Sequence, residues 1–173
     1  MMTKDIIAMG TSARFVRFRC LSNSRLCVLL RRRDSNPTVA PDFMSPDRLS
    51  NLTIVVVDDH HEIRRYVGAY LYHLGAHVVV AENAFEGLEA VRTYRPNLVL
   101  SDISLPGRDG FGLLLDIRAL GPDTGGNVPV IAMTALVGHV DRRRVLNAGF
   151  QAYLPKPFTP DGLLETILAV LRP

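Results

Sequence analysis

The stretch TIVVVDDHHEIRRYVGAYLYHLG, residues 53–75, carries two periods in succession. Thr53 to Val57 is an unbroken apolar, β-branched run, as expected of a strand covered on both faces in a parallel sheet. It ends in Asp58-Asp59. Beyond it Ile63, Tyr66, Val67, Tyr70, Leu71 and Leu74 recur at helical spacing, and Gly75 stands where a C′ glycine closes a helix. A buried strand running into an amphipathic helix is the first half of a βαβ unit.

The same grammar continues to the C-terminus. His77 to Ala81 reads as a second strand. Asn83 with Glu86 resembles a capping box and opens a helix through Ala84, Leu88 and Val91 that stops at Pro96. Leu98 to Leu100 is a third strand, ending at Ser101-Asp102. Phe111 to Leu120 is helical, 121–127 is loop, and Val128 to Met133 is a fourth strand. A helix from about Gly138 to Ala148 closes at Gly149, and Gln151 to Leu154 is a short fifth strand. Thr159 as N-cap with Pro160 behind it begins a last helix, with Leu163, Leu164, Ile167, Leu168 and Leu171 on one face. Five strands alternating with five helices predict a doubly wound α/β fold with a five-stranded parallel sheet, in the flavodoxin-like order 2-1-3-4-5.

Residues 1–50 have a different texture. Arg14, Arg17, Arg19, Arg25 and Arg31-Arg32-Arg33 interrupt short apolar clusters without a sustained period, and Asp34 to Ser50 is linker-like in its Pro, Ser and Asp content. The chain's net charge of +3 divides unevenly, with +5 in residues 1–50 and −2 in residues 51–173. The basicity therefore belongs to the leader, and the folded part offers no argument for nucleic-acid binding. A basic arm for nucleic acid or membrane, or an Arg-rich transit peptide, are alternatives for the leader. The preferred expectation is a disordered segment, or an over-extended start whose true initiator is Met44, with the folded domain at 51–173. Cys20 and Cys27 show neither CxxC spacing nor a neighbouring His pair, so no metal site or disulfide framework is expected. No apolar run is long enough for a membrane span or a signal core, which predicts a cytoplasmic protein.

In a doubly wound sheet, chemistry collects in the crevice beyond the carboxyl ends of the strands. Neither a G-x-G-x-x-G turn nor a G-x-x-x-x-G-K-[ST] loop follows the first strand, so backbone cradling of a nucleotide is not indicated. Asp58 and Asp59, Asp102, Thr134 and Lys156 follow strands one, three, four and five instead. Crowded carboxylates repel one another and keep their charge when a cation sits among them. Hard oxygen donors with room for water suit Mg²⁺ or Mn²⁺. Such a cation and Lys156 would neutralise an incoming phosphoryl group, with Asp102 as nucleophile and the Thr134 hydroxyl donating to a phosphate oxygen.

Asp58-Asp59, the run Asp102-Ile103-Ser104-Leu105-Pro106-Gly107-Arg108-Asp109-Gly110, Thr134-Ala135, and Tyr153-Leu154-Pro155-Lys156-Pro157-Phe158 together resemble the receiver family of two-component signalling, over residues 52–172. The resemblance implies a phosphorelay response regulator that takes a phosphoryl group on Asp102, forming an aspartyl phosphate. Asp59 and Asp102 would ligate Mg²⁺ with the backbone carbonyl of Ser104, and Asp58 would act largely through water. Thr134, Lys156 and the backbone N–H of Ala135 would hold the phosphoryl oxygens. Thr134 and Tyr153 would be the switch residues, reshaping the surface of the fourth helix, fifth strand and fifth helix for a downstream protein. The donor would be a sensor histidine kinase or a histidine phosphotransfer protein. The Lys156-Pro157 bond is often cis in the family.

Because the chain ends just after the fifth helix, the expectation is a stand-alone receiver without a DNA-binding domain, monomeric or weakly dimeric. It would be a signalling phospho-acceptor, not an enzyme with external turnover. Family members tune dephosphorylation with the side chains at Ser104 and Leu136, and leucine cannot orient an attacking water, which predicts a long-lived phosphoryl group. An aspartyl-phosphate phosphohydrolase is one competing reading, but such sites usually place a second Asp where this chain has Ser104; a metal-independent interaction module with a vestigial site is another, and the complete acidic set argues against it.

Other residues are assigned simpler roles. Leu105, Pro106 and Phe158 read as loop supports, and Asp109-Gly110 as the start of the third helix. His60, His61, His73, His77 and His139 show no metal spacing and read as solvated or packing residues. Arg142-Arg143-Arg144 reads as a solvated helix face, with a partner-binding surface as the sharper alternative.

Overall fold

In the computed structural model, which describes residues 17–20, 27–30, 48–135 and 139–172, the run read as a central strand is β3, Thr53–Val57. Its neighbours on either side are β4, His77–Ala81, and β5, Leu98–Asp102, both parallel to it. β6, Val130–Thr134, and β7, Ala152–Pro155, continue the sheet in parallel. Numbered from β3, these five strands have the expected order 2-1-3-4-5.

Alternation along β3 explains the two cores. Ile54 and Val56 point to one face, where Val67 and Leu71 of α1 (His61–His73) and Leu163 and Ile167 of α5 (Pro160–Leu171) close over them. Val55 and Val57 point to the other, under α2 (Ala84–Tyr94), α3 (Gly110–Arg118) and α4 (His139–Asn147). Each of these β3 side chains is fully buried, and burial of one such side chain stabilises the fold by about 1.5–3 kcal/mol.

The punctuation works as the residue types suggest. Gly75 takes φ +94°, its N–H donates to Tyr72 O at 3.0 Å, and the Ala76 N–H donates to Leu71 O at 3.1 Å, a Schellman ending to α1. Asn83, Asp109 and Thr159 cap α2, α3 and α5 by accepting from the N–H groups of Glu86, Gly112 and Gly162.

Several boundaries differ from the expectation. The fourth strand starts at Val130, not Val128, because Pro129 has no N–H for the ladder; it contributes only its carbonyl, which accepts from Val99 N–H. On α1 the buried side is Arg64, Val67, Gly68 and Leu71, whereas Tyr66, expected on the apolar face, is 47% exposed. The domain also starts before Asn51: Leu49 is fully buried and its N–H donates to Leu74 O.

The leader holds the main departure. Arg17–Cys20 (β1) and Cys27–Leu30 (β2) form an antiparallel pair, and β2 joins β4 antiparallel, so among the described residues the sheet has seven strands. Residues 17–20 and 27–30 are thus in strands, where the sequence shows no sustained period. A four-residue strand is too short to show a period, and pairing with the β4 edge supplies the ladder that its own sequence does not announce. The register also sets Cys20 opposite Cys27, a proximity their spacing did not disclose. The Met44 start, the linker before residue 48 and Leu136 lie outside the described residues.

Candidate functional site

Four loops leave the same edge of the sheet. Asp58 and Asp59 follow β3 and Asp102 closes β5. Thr134 closes β6 and is paired in register with Pro155, directly before Lys156. The Lys156 N–H donates to Thr134 O at 2.7 Å, so the backbone holds this lysine beside β6. The Lys156-Pro157 peptide is cis.

From there the Lys156 ammonium spans two carboxylates. Its Nζ lies 2.7 Å from Asp58 Oδ2 and 2.8 Å from Asp102 Oδ2. The Asp58 and Asp102 side chains are 0% and 4% exposed, and that of Lys156 is 12%. Burial pulls the lysine pKa down, but hydrogen bonds from the ammonium to Asp102 and Asp58, and their charges, more than offset it, so the group is held above the usual lysine value. The remaining oxygens also have partners: His60 N–H donates to Asp58 Oδ1 at 2.9 Å, and Ser104 N–H to Asp102 Oδ1 at 3.2 Å.

Asp59 is more open, at 32% side-chain exposure, and its Oδ1 lies 2.8 Å from His60 Nδ1. One donor atom from each of Asp58, Asp59, His60 and Asp102 falls within 4.8 Å of the others. Three formal negative charges face one ammonium, and the donors are mostly hard oxygens. That set fits a divalent cation, with Asp59 at the solvent side where a cation keeps its waters.

The other expected residues are placed as follows. Thr134 is fully buried and Ala135 is exposed. Tyr153 is half-buried against the core on the α2, α3 and α4 side, next to Ala132 in register. Leu105 is buried in that same core and Phe158 packs against the opposite one, as loop supports would, while Pro106 is exposed. Arg142, Arg143 and Arg144 lie on the exposed side of α4, with the Arg144 guanidinium 5.0 Å from the Phe111 ring centre.

Three participants escaped the sequence reading. His60 was assigned a solvated or packing role; the ring is 63% exposed but turned onto Asp59 and Asp58. Its place directly after two strand-end carboxylates was the available signal. Arg64, one helical turn further, is 7% exposed and donates to the main-chain oxygens of Asp58 at 2.6 Å and Asp59 at 3.0 Å. Its other nitrogen reaches Glu82 Oε1 at 2.9 Å. Gly110, read only as a helix start, passes so close to β5 that a Cβ there would overlap the main-chain oxygen of Asp102 and lie 2.8 Å from Ile103 Cα.

A family model described as the response regulator receiver domain matches residues 54–168. An uncharacterised 14.6 kDa protein of Leptolyngbya boryana is 38% identical over 119 residues, which are 69% of this chain and 89% of that protein. A probable transcriptional regulator, ycf27, of Pyropia yezoensis is also 38% identical over 119 residues, but there the chain spans only 47% of the relative. Among solved structures, the receiver domain of the sensor histidine kinase PA1611 from Pseudomonas aeruginosa, with a magnesium ion coordinated in its active-site cleft, superposes with a TM-score of 0.63. It is 30% identical, and the alignment covers 70% of this chain and 98% of that one. Among the described residues no helix is long and apolar enough to cross a membrane. A strand order of 2-1-3-4-5, acidic residues and a lysine meeting at one sheet edge, and a family match across most of the folded region lead to one identification: the chain belongs to the response regulator receiver domain family.

Proposed function

We propose that this receiver accepts a phosphoryl group on Asp102 from a sensor histidine kinase or a histidine phosphotransfer protein. The observation that carries the reading is the Lys156 ammonium, held 2.8 Å from Asp102 and 2.7 Å from Asp58 in a largely buried crevice. A carboxylate so placed has a fixed direction of attack and a cation beside the developing charge. Asp102 forms the new O–P bond as the P–N bond to the donor imidazole breaks, and the leaving nitrogen takes its proton from solvent.

Asp59 and Asp102, with the carbonyl of Ser104, would hold Mg²⁺ or Mn²⁺, and Asp58 would assist from beside them. The cation supplies neutralisation of the phosphoryl oxygens. The acidic cluster supports this assignment, as does the magnesium in the cleft of the similar Pseudomonas receiver. Lys156, the Thr134 hydroxyl and the Ala135 N–H bind the transferred oxygens. Thr134 and Tyr153 then convert phosphorylation into a changed surface on α4, β7 and α5 for a protein target. The chain turns over only its own phosphoryl group and acts as a signalling module, not as an enzyme on external substrates.

The test is labelling with a small phospho-donor in the presence of Mg²⁺, read by intact mass. Asp102→Asn abolishes the adduct and Ser104→Ala retains it. Labelling that survives Asp102→Asn overturns the reading.

A further inference from the structure

The chain has two cysteines, and the sheet sets them opposite each other. β1 and β2 pair antiparallel in the register Arg17↔Leu30, Phe18↔Leu29, Arg19↔Val28 and Cys20↔Cys27. Residues directly opposite in such a pair share one face of the sheet, with Cα atoms about 4.5–5.5 Å apart. A disulfide needs a Cα separation of about 4.4–6.8 Å, so the ladder brings this pair into range without moving the main chain. β2 is registered in turn on the edge of β4, with Cys27↔Val80, Val28↔Val79 and Leu29↔Val78. The sequence also sets Arg19 beside Cys20 and Arg25 two places before Cys27. Cationic neighbours favour the thiolate, which is the reactive form of cysteine.

We propose that Cys20 and Cys27 are a redox modification site: they form a reversible disulfide that fastens the β1–β2 hairpin to the edge of β4. The oxidant is a low-molecular-weight disulfide. One cysteine thiolate attacks its S–S bond, releasing one thiol and leaving a mixed disulfide on the protein. The second thiolate attacks the protein sulfur of that mixed disulfide, closes the Cys20–Cys27 bond and releases the other thiol. The two cysteines lose two electrons and two protons, and the oxidant takes them up as two thiols. A lone two-stranded hairpin is marginal in water, so pairing with β4 has to offset its ordering. Docking on β4 holds the cysteines in register and favours the bond; by linkage the bond favours docking by the same factor. The clasp sits on the β4 edge and does not depend on phosphoryl transfer to Asp102.

The competing account is closeness in sequence alone, since two cysteines separated by residues 21–26 meet in any flexible chain. The experiment equilibrates the full chain with reduced and oxidised glutathione, in buffer and in concentrated urea. Non-reducing mass and peptide mapping give the fraction and the position of the bond, and hence the effective concentration of one thiol at the other. Folding is expected to raise that concentration by about tenfold or more, a usual size for such coupling. In the variant Cys27→Ser with Val28→Cys the thiol is moved one place along β2 to the other face, and folding should give no such gain. Oxidation of wild type should slow hydrogen exchange of the amides of residues 77–81 that face β2, by a factor similar to the gain in effective concentration. The double variant Cys20→Ser, Cys27→Ser should show no response to oxidised glutathione. Equal effective concentrations in buffer and urea, an equal gain in the shifted variant, exchange indifferent to the bond, or crosslinks only between two copies of the chain would each overturn the proposal.

Discussion

The guanidinium of Arg64 donates to the main-chain oxygen of Asp58 at 2.6 Å, from a position one turn into the following helix. The same group reaches Asp59 O and the Glu82 carboxylate, so one buried cation ties the loop after β3 to the loop after β4. Arg64→Ala would leave two carbonyls and a carboxylate without this donor. The expected cost is about 3 kcal/mol in urea unfolding, in line with removal of one partner of a buried charged network. Arg64→Lys should recover only part of it, because an ammonium cannot span three acceptors with the geometry of a planar fork. Divalent-cation affinity should fall in both variants, since the carboxylates lose the backbone that aims them.

Lys156→Met removes the ammonium between Asp58 and Asp102 and leaves two buried carboxylates facing each other. Stability without divalent cation should drop by about 3 kcal/mol. Added Mg²⁺ should raise the melting temperature of this variant more than that of wild type, because the cation then offsets the charge on Asp58 and Asp102 that the ammonium no longer balances. An equal rise in both proteins would show that the lysine and the cation do not act on the same charges. Thermal melts with and without Mg²⁺ decide it.

Gly110→Ala tests the close approach of α3 to the end of β5. The added methyl has no room beside the main chain of Asp102 and Ile103, and that obstacle is backbone, which cannot rotate away. A loss of about 1–3 kcal/mol is expected, together with slower phosphorylation of Asp102. The same change at Gly107, which takes φ +76° with open space around it, should cost stability without slowing phosphorylation. Chemical denaturation and labelling rates separate the two.

Arg108 and Asp116 give a pH signature away from the acidic cluster. Arg108 Nε and a terminal nitrogen meet the two carboxylate oxygens of Asp116 at 2.6 and 2.8 Å. The hydrogen bonds from Arg108 hold the Asp116 carboxyl below its ordinary value, with burial opposing and the arginine charge assisting. A group whose folded pKa is depressed contributes stability above its unfolded pKa, about 3.9, and loses it as pH falls through the lower folded value. Wild type and Asp116→Asn should therefore differ near neutrality and converge in acid. The difference should be small, because both side chains are substantially exposed. NMR titration of the Asp116 carboxyl, expected below the random-coil midpoint, provides the direct check.

The order of elements, the choice of a parallel sheet and the list of strand-end residues were legible in the sequence because each is a short-range property. An apolar run, a helical period or a cap is written within a few neighbouring residues, and Thr53–Val57, Asn83 with Glu86, and Thr159-Pro160 all behave as their local patterns dictate. That Asp58, Asp59, Asp102, Thr134 and Lys156 share one rim was legible for a related reason, since a doubly wound sheet brings all its strand ends together. What only the tertiary structure decided is which atoms meet. Lys156 spans Asp58 and Asp102 across 98 and 54 residues of chain. His60 turns onto the carboxylates instead of into solvent alone, Arg64 is buried on a face where Tyr66 was expected, and Gly110 touches the strand it does not neighbour in sequence. The strands of the leader belong to this second class. Four residues carry too little pattern to declare themselves, and they become a strand through hydrogen bonds offered by an edge some fifty residues downstream.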